Sequence, residues 1–367
     1  MKLICDGLEL SDAVLKVIKA TSTKTTNPIL EGIKLSAVND NLVLSATDLD
    51  LAIVKTIKAE VFIEGETVVP GRFFSEYIRK LTNEQIELSL DDTNKLNIKY
   101  TDSQGNLQCL NVMEFPDIKQ LDNAEYFEIK SSDFENIINK TIFSVATDDS
   151  RPILKGCLLE IENKAIKAVA LDGYRLAKIE KPLINNSANF AAIVPSRSLS
   201  EISKLLEETE NNIKVLIQKN YLMAEINNTK IITRLLDGDF INYKQIIPTK
   251  FNTNVIINKI HLEDALERAS ILSRIDKNNL VKFTVSDKVM VLTGKSDIGD
   301  IKENITVALT GNDITVAFNA RYFLEALRVI SDEFIKLNFT TTVAPCIITN
   351  TESTSEYTYL ILPVRLM

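Results

Sequence analysis

The chain has 367 residues, 45% apolar, 25% charged and 7% aromatic, which gives room for several cores and excludes a disordered or fibrous polymer. Lys and Arg total 42 against 50 Asp and Glu, a net charge of −8. That excludes a uniformly polybasic nucleic-acid binder and leaves a local basic surface open.

The opening MKLICDGLEL carries an acid at position six and no long apolar run. Neither a signal peptide nor a membrane span of roughly 20 apolar residues is expected, and a soluble, cytoplasmic protein is. The first predicted helix is LSDAVLKVIKA. Next come the segment NPILEGIKL and alternating β-rich runs such as NLVLSATDLDLAIVKTIKA, with polar turns between the runs. A second helix starts after Pro70, and the strands of EQIELSLDDTNKLNIKYT lead into a linker around EFPDIKQL.

The same order then recurs. NPILEGIKL returns as RPILKGCLLEI, Asp48 as Asp172, Pro70 as Pro195 and Phe115 as Phe240, at a constant spacing of 124 or 125 residues. SSDFENIINKTIF and HLEDALERASIL repeat the first helix, and VAFNARYFLEALRVI repeats the second, with Arg321 following Arg197 by 124. Three copies fill the chain, with predicted domains over 1–122, 123–250 and 251–367. Helices and antiparallel meanders within one unit predict an α+β fold with helices packed on one face of each sheet.

Few residues invite chemistry. The lone His261 cannot build a poly-histidine metal centre, and its place at a helix start predicts a surface position. Cys5, Cys109, Cys157 and Cys346 form no C-x-x-C pair and lie in apolar runs, as reduced thiols do. Gly294-Lys295-Ser296 ends like a phosphate-binding loop, but Val289 stands where that loop needs glycine. The acid pairs Asp91-Asp92 and Asp148-Asp149 are expected to be solvated turns. No catalytic residue, metal or cofactor is expected.

The second helices share one pattern: Arg72-x-x-x-Glu76-x-x-Arg79, Arg197-x-x-x-Glu201-x-x-Lys204 and Arg321-x-x-x-Glu325-x-x-Arg328. Seven residues span nearly two turns, so both cations share a face, opposite Phe74, Tyr77, Ile78 and Leu81 in the first copy. Lys16, Lys140 and Arg268 recur in the first helices. An intrahelical Arg–Glu pair explains one such helix. Its recurrence in three points to a surface for polyanions, and without interleaved aromatics that surface meets phosphates rather than bases.

RPILKGCLLEI, LDGYRLAKIE, FNARYFLEALRVI and the ending YLILPVRL together resemble the bacterial sliding clamp, the beta subunit of DNA polymerase III, along the whole chain. The resemblance implies three clamp domains per chain and a head-to-tail homodimeric ring. That ring encircles duplex DNA and tethers the replicative polymerase without catalysing a reaction. Twelve helices spaced ~10 Å apart would line a bore of about 28 Å, wider than a duplex of about 20 Å.

The resemblance also implies sites. Lys24 matches a DNA-contacting residue, to which the repeat pattern adds Arg72, Arg79, Arg197, Lys204, Arg321 and Arg328. A groove for short Gln- and Leu-containing peptides of the polymerase alpha subunit, the clamp loader and other polymerases and repair proteins would use Leu154, Leu171, Asp172, Gly173, Tyr174, Arg175 and Leu176. Asn319, Tyr322, Val343 and Pro345 would complete it with the tail residues Leu360, Ile361, Leu362, Pro363, Val364 and Arg365. Ring closure would pair edge strands near Leu107 and Ile298, with Ile271 and Leu272 beside them. Lys95 and Lys99 would there face Asp297, Asp300 and Glu303 by charge sign. Leu171, Tyr174, Ile241 and Gln245 depart from the family's usual residues, and Met367 extends its ending. The competing expectation is a tandem-repeat protein scaffold that never encloses DNA.

Overall fold

Short polar side chains cap the starts of three of the described helices, while α2 follows Pro70 without a side-chain cap. The computed structural model describes residues 1–81, 85–122, 124–206, 209–274, 279–352 and 356–365, so Met367 lies outside them. Helix α1 (Gly7–Val17) is capped by Asp6, whose Oδ1 accepts hydrogen bonds from the Leu8 and Glu9 amides at 2.9 and 3.0 Å. Helix α2 covers Gly71–Ile78, α3 Ser131–Asn139 and α4 Ser196–Leu206. Helix α5 (Lys259–Ser273) is capped by Asn258 on the exposed His261's amide, and α6 (Ala320–Arg328) by Asn319 on Arg321's amide. Each helix buries one apolar stripe, such as Phe74 and Ile78 in α2 and Phe323, Leu324 and Leu327 in α6.

The described residues form two compact units. One comprises Met1–Ser131, Asn185–Ser187 and Ser200–Leu235. Its five-stranded antiparallel sheet runs Glu60–Ile63, Lys2–Asp6, Gln85–Leu90, Lys95–Tyr100, Ser103–Gln108. Its nine-stranded sheet runs Asn185–Asn186, Glu125–Lys130, Asn212–Gln218, Tyr221–Ile226, Thr229–Arg234, Leu51–Lys58, Asn41–Thr47, Gly32–Val38, Gly65–Pro70. The central seam, Ile231 opposite Ile53, joins strands of the first and second sequence repeats.

The other unit comprises Ser132–Ile184, Ala188–Leu199 and Leu236–Met367. Its nine-stranded antiparallel sheet runs Phe190–Pro195, Gly156–Glu162, Ala165–Leu171, Arg175–Pro182, Tyr357–Ile361, Cys346–Asn350, Phe334–Phe339, Thr253–Asn258, Ala308–Gly311. Here the seam sets Ala177 opposite Tyr359, second repeat against third. A four-stranded sheet follows the order Gly299–Thr306, Val289–Ser296, Leu280–Ser286, Ile314–Asn319. Gly294 lies in this sheet because a Cβ there would sit 2.0 Å from the Ala269 carbonyl oxygen of α5. The glycine permits close packing of helix on strand, and no phosphate loop surrounds it.

All four cysteines are buried free thiols. Burial pushes Cys5 and Cys157 up to about 12, so neither is a ready nucleophile. Asp91 closes a turn: its carboxylate accepts from the Thr93 hydroxyl at 2.7 Å and from the Lys95 amide at 3.1 Å. Asp148 likewise accepts from the Ser150 amide at 2.9 Å. Among the described residues no cluster of three or more His, Cys, Asp or Glu could hold a metal ion, and no helix is long and apolar enough to cross a membrane.

Candidate functional site

The second repeat's Asp-Gly-Tyr-Arg turn is held by its own first residue. Asp172 Oδ1 accepts hydrogen bonds from the Tyr174 and Arg175 amides at 2.8 and 3.0 Å, and Gly173 takes φ of +92°. This geometry aims Tyr174 outward, 63% exposed, where its ring stacks on Tyr322 of α6 at 6.3 Å and 23°. Arg175 points the other way and is only 8% exposed.

Arg175 is therefore no open anchor for a ligand. Its Nε donates to Asp172 Oδ2 at 3.0 Å, its Nη2 to the Phe143 carbonyl at 2.6 Å and its Nη1 to Glu325 Oε2. The guanidinium also lies 4.6 Å from the Tyr322 ring centroid and 5.5 Å from that of Phe143. A buried cation demands partners for its charge and donors, and this network supplies both. Burial pushes the Glu325 carboxyl up, but hydrogen bonds from Arg321 and Arg175 overcome it and hold the group below the ordinary glutamate range.

The apolar residues of the expected groove do converge. Leu154, Leu171, Leu176 and Leu360 belong to one buried cluster with Val169, Ile193 and Tyr243, and half-buried Phe240, Ile241 and Leu362 pack against it. The Leu362 amide donates to the Tyr174 carbonyl at 2.9 Å, and the Val364 amide to the Ala317 carbonyl at 2.8 Å, fastening the tail beside the turn. Ile361 is buried in its strand, while Pro363 is half-buried and Val364 and Arg365 are exposed. Asn319 is occupied as the α6 cap. Val343 is 71% exposed and Pro345 half-buried, in the turn before Cys346. The four departures separate: Leu171 is core, Ile241 packs on the cluster, and Tyr174 and Gln245 face solvent.

Sequence reasoning missed Glu325 and the Phe143 carbonyl as partners of Arg175. Glu325 was in view as the acid of Arg-x-x-x-Glu, but nothing in one helix announces a second arginine from a distant turn. Leu236, Ile247 and Phe251 of the cluster were also missed. Their signal was apolarity in a segment otherwise read as linker.

The helix cations are exposed as expected: Arg72, Arg79, Arg197, Lys204, Arg321 and Arg328, together with Lys24. Arg72 pairs with Glu76 at 3.2 Å and Arg321 with Glu325 at 2.6 Å, one turn apart. Lys204 instead reaches Glu201 at 2.7 Å, and Arg328 reaches Glu267 of α5 at 3.4 Å. Surface pairs of this kind contribute little and yield readily to a phosphate.

The first helices correct the pattern. Lys140 is 7% exposed, with its amino group 5.1 Å from the Tyr357 ring, and burial lowers its pKa. It cannot meet solvent or polyanion as a helix-surface lysine does. Lys16 pairs with Asp12 at 3.0 Å, and Arg268 forms a two-point bridge to Glu303 at 3.1 and 2.8 Å. Glu303 is thus already matched within the chain, and Lys99 lies 3.9 Å from Glu87.

The strands carrying the expected joint are sheet edges. Ser103–Gln108, with half-buried Leu107, ends the five-stranded sheet, and Gly299–Thr306 ends the four-stranded one. Ile298 is 74% exposed in the turn before the latter, and Ile271 and half-buried Leu272 close α5. An edge strand offers unpaired amides and carbonyls to another chain.

Three repeated α+β units with exposed helix cations and edge strands define a clamp-type protein. The chain matches the DNA polymerase III beta subunit N-terminal domain over residues 1–119, its central domain over 128–242 and its C-terminal domain over 244–365. It is 30% identical to the beta sliding clamp of Bacillus subtilis, with 100% of each chain covered. The fold is similar to the crystal structures of the Bacillus subtilis DNA polymerase sliding clamp (TM-score 0.96, 30% identity) and the Thermotoga maritima DNA polymerase III beta subunit (TM-score 0.93, 30% identity), with 100% of each chain covered in both comparisons. The chain belongs to the DNA polymerase III beta subunit family, and its function is that of a DNA sliding clamp.

Proposed function

We propose that this clamp works as a head-to-tail homodimeric ring around duplex DNA, built from domains over 1–122, 123–250 and 251–367. The observation that carries this reading is the recurrence of exposed cations on α2, α4 and α6, one pair per sequence repeat. Lys24, Arg72, Arg79, Arg197, Lys204, Arg321 and Arg328 would make weak, interchangeable phosphate contacts suited to sliding rather than sequence reading. The edges Ser103–Gln108 and Gly299–Thr306 suit a β-ladder between chains, with Leu107, Ile271, Leu272 and Ile298 flanking it.

Tyr174, Tyr322, Val343, Pro345, Leu362, Pro363 and Val364 form the reachable rim of the partner groove over the Leu154–Leu171–Leu176–Leu360 floor. It takes short apolar peptides of the polymerase alpha subunit, the clamp loader and other polymerases and repair proteins. The clamp performs no catalysis and acts in the cytoplasm, on the nucleoid during replication.

Light scattering and retention on circular against linearised DNA test this together. A dimer retained only on circles is expected. Charge reversal of Arg72, Arg197 and Arg321 to Glu should impair loading onto the circle while leaving the dimer intact. A monomer at micromolar concentration, equal retention on circular and linear DNA, or undiminished loading of the triple variant would overturn the reading.

A further inference from the structure

The acid of the recurring Arg-x-x-x-Glu pattern is placed differently in the third repeat. Glu76 and Glu201 bond cations of their own helices, Arg72 and Lys204. Glu325 divides its two oxygens: Oε1 accepts from Arg321 of its own helix at 2.6 Å, and Oε2 accepts from Arg175. Arg175 is buried and Arg321 is 67% exposed, so one carboxylate joins an internal strut to a surface cation. Through Arg175 it braces Asp172, the Phe143 carbonyl and the Tyr322 ring on which Tyr174 stacks.

We propose that Glu325 is a positioning residue of the partner groove, and that it transmits the engagement of Arg321 with DNA phosphate to the groove rim. The inference rests on the assignment above of Arg321 to DNA and of the Tyr174–Tyr322 rim to peptides. A phosphate that draws Arg321 away leaves the Glu325 charge to Arg175 alone, which tightens the hold on residues 172–175. Linkage then requires that DNA and peptide each favour binding of the other.

The test uses the full-length dimer, free and loaded on nicked circular DNA, with a fluorescent peptide carrying Gln and Leu followed by anisotropy. Hydrogen exchange of residues 172–176 reports the brace independently of peptide. Glu325→Gln should weaken peptide binding about tenfold, the scale of a charge-assisted hydrogen bond, and speed exchange of the Tyr174 and Arg175 amides with the dimer preserved. Wild type should bind peptide roughly threefold tighter on DNA, a coupling within the usual range. Arg321→Gln, which removes the competing cation for good, should raise the free clamp's peptide affinity roughly threefold to the DNA-loaded level and gain nothing further on DNA.

Wild-type affinity and exchange in Glu325→Gln would overturn the positioning role. Absence of tightening on DNA in wild type, or its persistence in Arg321→Gln, would overturn the transmission. If Glu325→Gln does not fold, Glu325→Asp, which keeps the charge but shortens its reach, is judged by the same two readouts. If no peptide binds wild type while exchange still responds to Glu325→Gln, the groove assignment has failed and the brace stands.

Discussion

Two turns on one plan, Thr47–Leu51 and Leu171–Arg175, do different work. In each, the leading aspartate accepts the two amides that follow the next residue: Asp48 those of Asp50 and Leu51 at 3.1 and 2.8 Å, Asp172 those of Tyr174 and Arg175 at 2.8 and 3.0 Å. Both need a left-handed residue after the aspartate, and φ is +80° at Leu49 and +92° at Gly173. The first turn accepts the strain of a leucine there, while the second uses glycine. The side chains then diverge, for Leu51 fills a core where Arg175 builds an ion network. The aspartate thus sets a backbone that many side chains tolerate, and function enters through the next three positions.

Breaking the second turn at its strut should have the largest effect. Arg175→Met leaves Asp172 in a part-buried site without its cation and Glu325 with Arg321 alone. We expect a loss of about 3 kcal/mol in urea unfolding, in the range for a broken buried pair. A loss under about 1 kcal/mol would mean that the network behaves like a surface pair.

Exchanging the left-handed residues sharpens the comparison with opposite signs. Gly173→Ala meets no atom within 4 Å, so its cost is backbone strain alone, about 1 kcal/mol. Leu49→Gly should relieve the first turn by up to about 1 kcal/mol, partly offset by glycine's greater unfolded-state freedom. Thermal melts of the two variants moving in the same direction would refute the shared plan.

Acid should loosen the second turn. The Glu325 carboxyl is held below its ordinary 4.5, so its contribution is complete above that value and is lost as pH falls through the lower folded one. Exchange at residues 172–176, corrected for intrinsic rates, should quicken on acidification through that window and be flat above it. In Glu325→Gln this step should vanish.

The smallest stability change is expected for Tyr174→Ala, about 0.5 kcal/mol, because the ring is mostly solvated and loses one stacked neighbour. Peptide affinity should nevertheless fall severalfold. A large stability loss would place Tyr174 with the core rather than with the rim.

Much of this site was legible beforehand. The Asp-Gly-Tyr-Arg turn, the leucines around it and the α6 cap at Asn319 are local features with strong conformational preferences. The resemblance placed Arg175 among the groove residues without showing whether its side chain faces a ligand or the protein. Its burial depends on Glu325 and Phe143, far away in sequence. Lys140 misled for the same reason: helical periodicity gives a face, while Tyr357 decides whether that face meets solvent.

By itself the chain of residues determined the threefold repeat, two helices in each copy, the recurring exposed cations and the lack of conventional catalytic motifs, while the first helices of the first and third copies begin earlier than expected, at Gly7 after the Asp6 cap and at Lys259 after Asn258. These follow from local hydrogen bonding and periodicity, which do not need a partner segment. Only the tertiary structure decided how the repeats share their sheets. Thr229–Arg234 of the second repeat pairs with Leu51–Lys58 of the first, and Arg175–Pro182 pairs with Tyr357–Ile361 of the third. Strand pairing is made by backbone amides and carbonyls that every residue carries, so alternation shows which face is buried but not which edge is joined. That choice of edges set the Arg175 turn beside α6, where Glu325 could serve two arginines.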